Sequence, residues 1–155
     1  MLSVNYDAAF SRFLAQVQAY DLVMVDEVEA RQKLNEWLIS VKSNPRVRKL
    51  FTSLSFDKNI ETISFELKNS LKDEDSDKDF VTEVFGIGVA WKWSSEKYNS
   101  LLNTAQYFGS GEKKYFSQAN HMDQLHAMAQ QSKSDLFGFI RDHGSYNNAY
   151  VEGES

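Results

Sequence analysis

The chain has 155 residues, 42% of them hydrophobic and 14% aromatic, with a formal net charge of −5 and no cysteine. That mixture is too apolar for a disordered chain, and the missing cysteines exclude disulfides, thiolate metal sites and cysteine nucleophiles. The length leads us to expect one domain. With no apolar run of roughly 18 residues and no basic stretch ahead of an apolar one, neither a membrane span nor a signal peptide is expected, which implies an intracellular protein.

Tyr6, Phe10, Phe13, Leu14 and Val17 recur at helical steps and predict a first helix, capped by Asn5 or Ser3. After a break at residues 20–25, Asp26 is placed to cap a second helix. Its stripe is Val28, Leu34, Trp37, Leu38 and Val41, and it ends near Ser43. Asn44 followed by Pro45 reads as an N-cap with proline at the first helical position, opening a short basic helix through Val47, Leu50 and Phe51.

From Thr62 the period changes to two. Ile63, Phe65 and Leu67 alternate with Ser64, Glu66 and Lys68, the pattern of a half-exposed strand. Ser76 and Asp79 match a helix cap signature ahead of residues 80–93, which are apolar all round and therefore predict a buried central helix. Gly86 and Gly88 each cost that helix about 1 kcal/mol relative to alanine, so a close approach by another element or a local bend is expected there.

Residues 102–108 and 113–116 flank Gly109-Ser110-Gly111 and read as a β-hairpin or extended arm spanning 102–118. Asn120 is placed to cap a last helix carrying Met122, Leu125, Met128, Ala129, Leu136, Phe139 and Ile140, and Gly144 to end it. The expected fold is mainly α: a small helical bundle with a short β element and an extended hairpin arm, one domain over residues 1–144. Residues 145–155 are expected to form an extended tail.

The candidate chemistry fails motif by motif. Asp73, Asp75, Asp77 and Asp79 alternate like half of a calcium loop, but Lys78 and Val84 stand where glycine and a bidentate glutamate are required. His121 and His126 lie about 140° apart around a helix and do not share a metal-binding face. Asp142, His143 and Ser145 are sequence neighbours, a poor basis for a hydrolytic triad. Neither Gly86-Ile87-Gly88 nor Gly109-Ser110-Gly111 has the spacing of a nucleotide loop. No enzyme, metal or cofactor is expected.

The net negative charge argues against sequence-independent DNA binding. Locally the chain is dipolar: residues 42–50 hold four cations and no acid, while residues 72–83 hold six carboxylates against two lysines. Complementary patches of this kind suit a head-to-tail ring, with Arg46, Arg48 and Lys49 facing Asp73, Asp75 and Asp77 of a neighbour. Aromatic residues on the arm and tail (Tyr107, Phe108, Tyr115, Phe116, Tyr146 and Tyr150) are the candidate anchors for a protein partner.

Three segments, DSDKDFVTEVFGIGVAWKW, LLNTAQYFGSGEKKYFSQANHMDQL and IRDHGSYNNAYV, resemble the head–tail connector (adaptor) family and related neck structural proteins of tailed bacteriophages. The resemblance implies a virion protein made in the bacterial host cytoplasm. Its copies would form a ring beneath the portal, a carboxy-terminal segment would embrace the portal, and a downstream stopper or tail protein would dock below. DNA would pass without specific binding, and no catalysis, cofactor or membrane would be involved. Two other readings stay open: another tail-completion or baseplate component, and an acidic inhibitor that mimics nucleic acid.

Overall fold

A computed structural model describes residues 1–19, 27–108 and 112–154, with side chains for 1–18, 27–100 and 122–144. The order is β1 (Leu2–Asn5), α1 (Tyr6–Ala19), α2 (Glu27–Lys42), α3 (Pro45–Arg48), β2 (Phe51–Asp57), β3 (Thr62–Leu67), α4 (Glu74–Phe108) and α5 (Glu112–Glu154). The fold is mainly α with a small antiparallel sheet of order β1-β3-β2.

Alternation along β3 turns Ile63, Phe65 and Leu67 inward, as the sequence pattern requires, and β1 adds Val4 directly opposite Ile63. The β2 partner was not legible because its register shifts between Phe51 and Ser53. Its buried residues, Phe51 and Leu54, are therefore three apart instead of two. Phe51, expected on α3, begins this strand. Phe85 of α4 stacks on Phe51 (ring centroids 6.2 Å apart) and meets Phe56 edge-on at 5.5 Å, which fastens the sheet to the central helix.

α4 is the spine and touches β1, α1, α2 and α5. Its two glycines are where the neighbours come closest. A Cβ at Gly86 would overlap Arg12 Cβ of α1 and lie 3.3 Å from the Ala9 carbonyl oxygen; one at Gly88 would lie 2.6 and 2.7 Å from the two methyl groups of Val41 in α2. The expected close approach is thus present at both positions. Phe13 fills the angle between the three helices, with Phe10, Trp37 and Trp93 around it at 5.6–6.2 Å.

Arg12, beside Gly86, pairs with both Asp79 and Glu83. One turn beyond Trp93, Glu96 accepts from Lys33 Nζ and from Trp37 Nε1 (2.7 Å), tying α2 to α4.

The helical ends require corrections. Residues 102–108 and 113–116 continue α4 and α5, so the arm is a helical hairpin and not a β-hairpin. A short glycine-bearing connection serves either geometry; the helical spacing that already carries Trp91, Ser94 and Tyr98 continues through Leu102 and Ala105. Likewise the tail is not extended: α5 runs through Gly144 to Glu154. A Cβ at Gly144 would meet nothing, and this residue occupies an ordinary helical position.

α4 is capped by Asp73 and not by Ser76: the Asp73 carbonyl accepts from Asp77 N–H (3.0 Å) and its carboxylate from Ser76 N–H (3.2 Å). The Asn44 cap of α3 holds as expected, accepting from Arg46 N–H at 2.9 Å. Asp26 and residues 109–111 lie outside the described residues.

Helix propensity favours alanine over glycine by about 1 kcal/mol, whereas overpacking a rigid core costs about 1–3 kcal/mol. Val41 is β-branched and 0% exposed, with no free rotamer to retreat into. Gly88→Ala therefore lowers the melting temperature, by about 2–8 °C, and Val41→Ala in the same chain restores part of the loss. A rise in melting temperature for Gly88→Ala contradicts this packing.

Candidate functional site

α5 runs antiparallel to α4, with contacts Tyr98–His126, Trp91–Phe137 and Phe80–His143. Leu125, Met128, Leu136 and His143 turn inward, which fixes the rotation of α5 about its axis. Two charged surfaces follow from that rotation.

The first surface is cationic. Val47 is fully buried and seats α3, so Arg46, one residue away, projects its guanidinium over Phe137 at 4.3 Å. Phe137 meets the half-buried Trp91 edge-on at 5.9 Å. Lys92 Nζ lies 3.9 Å from the Trp91 ring, and Lys133 Nζ lies 5.7 Å from Trp91 and 5.9 Å from Phe137. Ring faces attract these cations.

Burial, followed by the adjacent charge of Lys133, pushes the Lys92 ammonium below its ordinary value. Among the described residues the recorded ion pairs include none to Arg46, Lys92 or Lys133. Three cations thus crowd two aromatic rings, and among the described residues no carboxylate pairs with them. A groove of about 260 Å³ continues past Lys133 and Gln130 to Tyr98 and His126.

The second surface is an open cleft of about 920 Å³ at the start of α4, rimmed by Asp73, Asp75, Asp79 and Asp142 and floored by Phe80, Phe139 and His143. Its wall is braced from within. Asp77, 5% exposed, accepts from Ser70 Oγ at 2.6 Å and from Leu71 N–H at 2.8 Å, holding the turn in which Lys72 takes φ 59°. From the other side His143 stacks on Phe80 at 3.8 Å and places Nε2 3.0 Å from the Asn69 carbonyl oxygen. A carbonyl only accepts, so that nitrogen carries the proton. Burial holds the imidazole below the ordinary histidine range, against the opposing pull of the Asn69 carbonyl and the Asp77 charge.

Lys133 and Asp142 are nine residues apart, about 180° around the axis of α5 at roughly 100° per residue. The inward-facing residues lie between them, so the cationic and acidic surfaces occupy opposite flanks of one helix.

Of the expected ring contacts, Arg46 joins the cationic surface. Arg48 and Lys49 are exposed beside it, Arg48 donating to the Phe51 carbonyl at 3.4 Å. Asp75 is on the acidic rim, and Asp73 is on it while capping its own helix. Asp77 is a correction: it is buried and committed to Ser70 and Leu71, because a helical step of 100° turns it inward from its neighbours. Tyr107, Phe108, Tyr115, Phe116, Tyr146 and Tyr150 lie on helical backbone, and their side chains lie outside the described residues.

Sequence reasoning missed Lys92, Lys133 and Phe137 as surface residues. The signal was the i, i+4 spacing of Lys133 and Phe137, but their meeting with Trp91 and Arg46 depends on the tertiary fold.

Among the described residues no group of three or more acidic or histidine side chains is placed to hold a metal ion. No described helix is long and apolar enough to cross a membrane. Comparisons with protein-family models, with curated proteins and with solved structures find no match to this chain.

The lowered His143 value has a consequence for stability. Between the folded value and the ordinary one near 6.5, the unfolded chain binds more protons than the folded one, so stability rises with pH. The His143 contribution is fully present above about pH 6.5 and is lost as pH falls toward the folded value. Comparing wild type with His143→Gln cancels the carboxylates common to both chains. The stability advantage of the wild type shrinks between pH 7.5 and pH 5 in denaturant melts; an advantage independent of pH contradicts the assignment.

Proposed function

We propose that this protein is a non-catalytic structural component of the tailed-phage neck, a head–tail connector (adaptor) whose copies close into a ring beneath the portal. The observation that carries the reading is the placement of unlike charges on opposite flanks of α5. Heterologous contacts need two different, complementary patches that face away from each other, and they close into rings when the rotation between copies allows. Assignment to the neck rests on the resemblance carried by residues 75–93, 101–125 and 140–151.

In this reading Tyr107, Phe108, Tyr115 and Phe116 at the end of the α4–α5 hairpin, together with Tyr146 and Tyr150 near the end of α5, contact the portal and the downstream stopper or tail protein. Helical faces, and not an extended arm and tail, then present them. The negative net charge suits a channel through which DNA slides without being held.

The nucleic-acid mimic is disfavoured by a specific feature of α4. A mimic needs its carboxylates free on one exposed face. Here Asp77 is buried, Asp79 and Glu83 are taken by Arg12, Glu74 pairs with Lys78 and Glu96 with Lys33.

Labelling the chain in purified particles tests the proposal. The label is expected at the junction of head and tail, and removing the gene is expected to leave filled heads without tails. A label at the baseplate moves the protein to another virion role, and its absence from all particles overturns the virion reading.

A further inference from the structure

We propose that the cationic and aromatic surface of Arg46, Trp91, Lys92, Lys133 and Phe137 receives the acidic rim of a second copy of this chain, Asp75 and Asp142. The inference rests on the ring reading above and names its interface.

Three observations converge. Arg46, Lys92 and Lys133 gather on two aromatic rings without a described carboxylate in ion-pair reach, and it is the gathering on the rings, not the missing pair alone, that sets them apart from other unpaired cations such as Lys58 and Arg141. Crowding of like charges on an apolar floor is relieved by an arriving anion. Secondly, the chain's own nearby acidic rim lies half a turn away around α5, so one copy does not bring Asp142 to its own Lys133. Satisfying both flanks therefore takes two copies, related head to tail.

The third observation is that the rim residues Asp75 and Asp142 are exposed and stand beside the half-buried Phe139. Each surface thus offers charge at its edge and an aromatic floor within, the pattern of a polar rim around an apolar centre. A patch-to-patch dimer would set cation against cation, so the contact is heterologous.

The absence of cysteine makes disulfide trapping clean. Gln130 lies beside Lys133 in the groove, and Ser76 lines the acidic cleft beside Asp75. Chains carrying Gln130→Cys and Ser76→Cys, mixed under oxidising conditions at low salt, are expected to cross-link to each other at least tenfold more than either does with itself. Adding Lys92→Glu and Lys133→Glu to the first chain should abolish the product. Adding Asp142→Lys to the second should restore it against that reversed partner.

Equal homodimer formation by Gln130→Cys overturns the proposal, and so does failure of the two chains to cross-link. Binding of a single-stranded oligonucleotide to the patch in place of the second chain also overturns it. Cross-linking by a chain absent from particles removes only the neck reading, whereas a neck location without cross-linking removes only this interface.

Discussion

The close approach of α1 and α2 to α4 at Gly86 and Gly88 is the constraint on which the rest of the structure depends. Two positions of the spine, two residues apart, lack side chains, and α1 and α2 lie where those side chains would have been. With α1 held at Gly86 and α2 at Gly88, the sheet is fastened through Phe85 and α5 packs along another face of α4. Arg12, drawn in at Gly86, reaches Asp79 and Glu83 along the same helix. The packing therefore also decides which acids of α4 are neutralised within the chain and which stay on its surface.

From that arrangement the rotation of α5 follows. Leu125, Met128, Leu136 and His143 all face inward, and this single stripe sends Lys133 to one side and Asp142 to the other. Phe137 and Phe139 diverge for the same reason: the first meets Trp91 and Arg46, the second meets Phe80. A helix buried along one line must show two flanks, and here those flanks carry opposite charge. The proposed function enters at that point, since in that reading an object with unlike flanks adds copies in one direction. Surface ion pairs are individually weak, so such an assembly gains from a closed ring and from partners that hold it.

Much of the fold was legible in local pattern. The alternation Ile63, Phe65, Leu67, the cap at Asn44-Pro45 and the all-apolar run with its two glycines each report a local requirement of the backbone. β1 and β2 were not legible. β1 has only four residues and its one fully inward residue, Val4, precedes a strong helical stripe; in β2 the register shift breaks the period of two. The hairpin and tail were misread because glycines and aromatics suit extended chain and helix alike, and only the continuation of the helical period separates them. At the site, Asp73 to Asp79 looked like one acidic face. A helix distributes those four aspartates to a cap, the rim, the interior and an ion pair with Arg12, which composition does not reveal.

Symmetry is the most direct measurement of the central claim that unlike flanks make copies join head to tail. Electron microscopy of the chain assembled at high concentration and low salt resolves it. The account predicts a cyclic ring in which the Lys133 flank of each copy faces the Asp142 flank of the next. A two-fold dimer with like flanks in contact would contradict it.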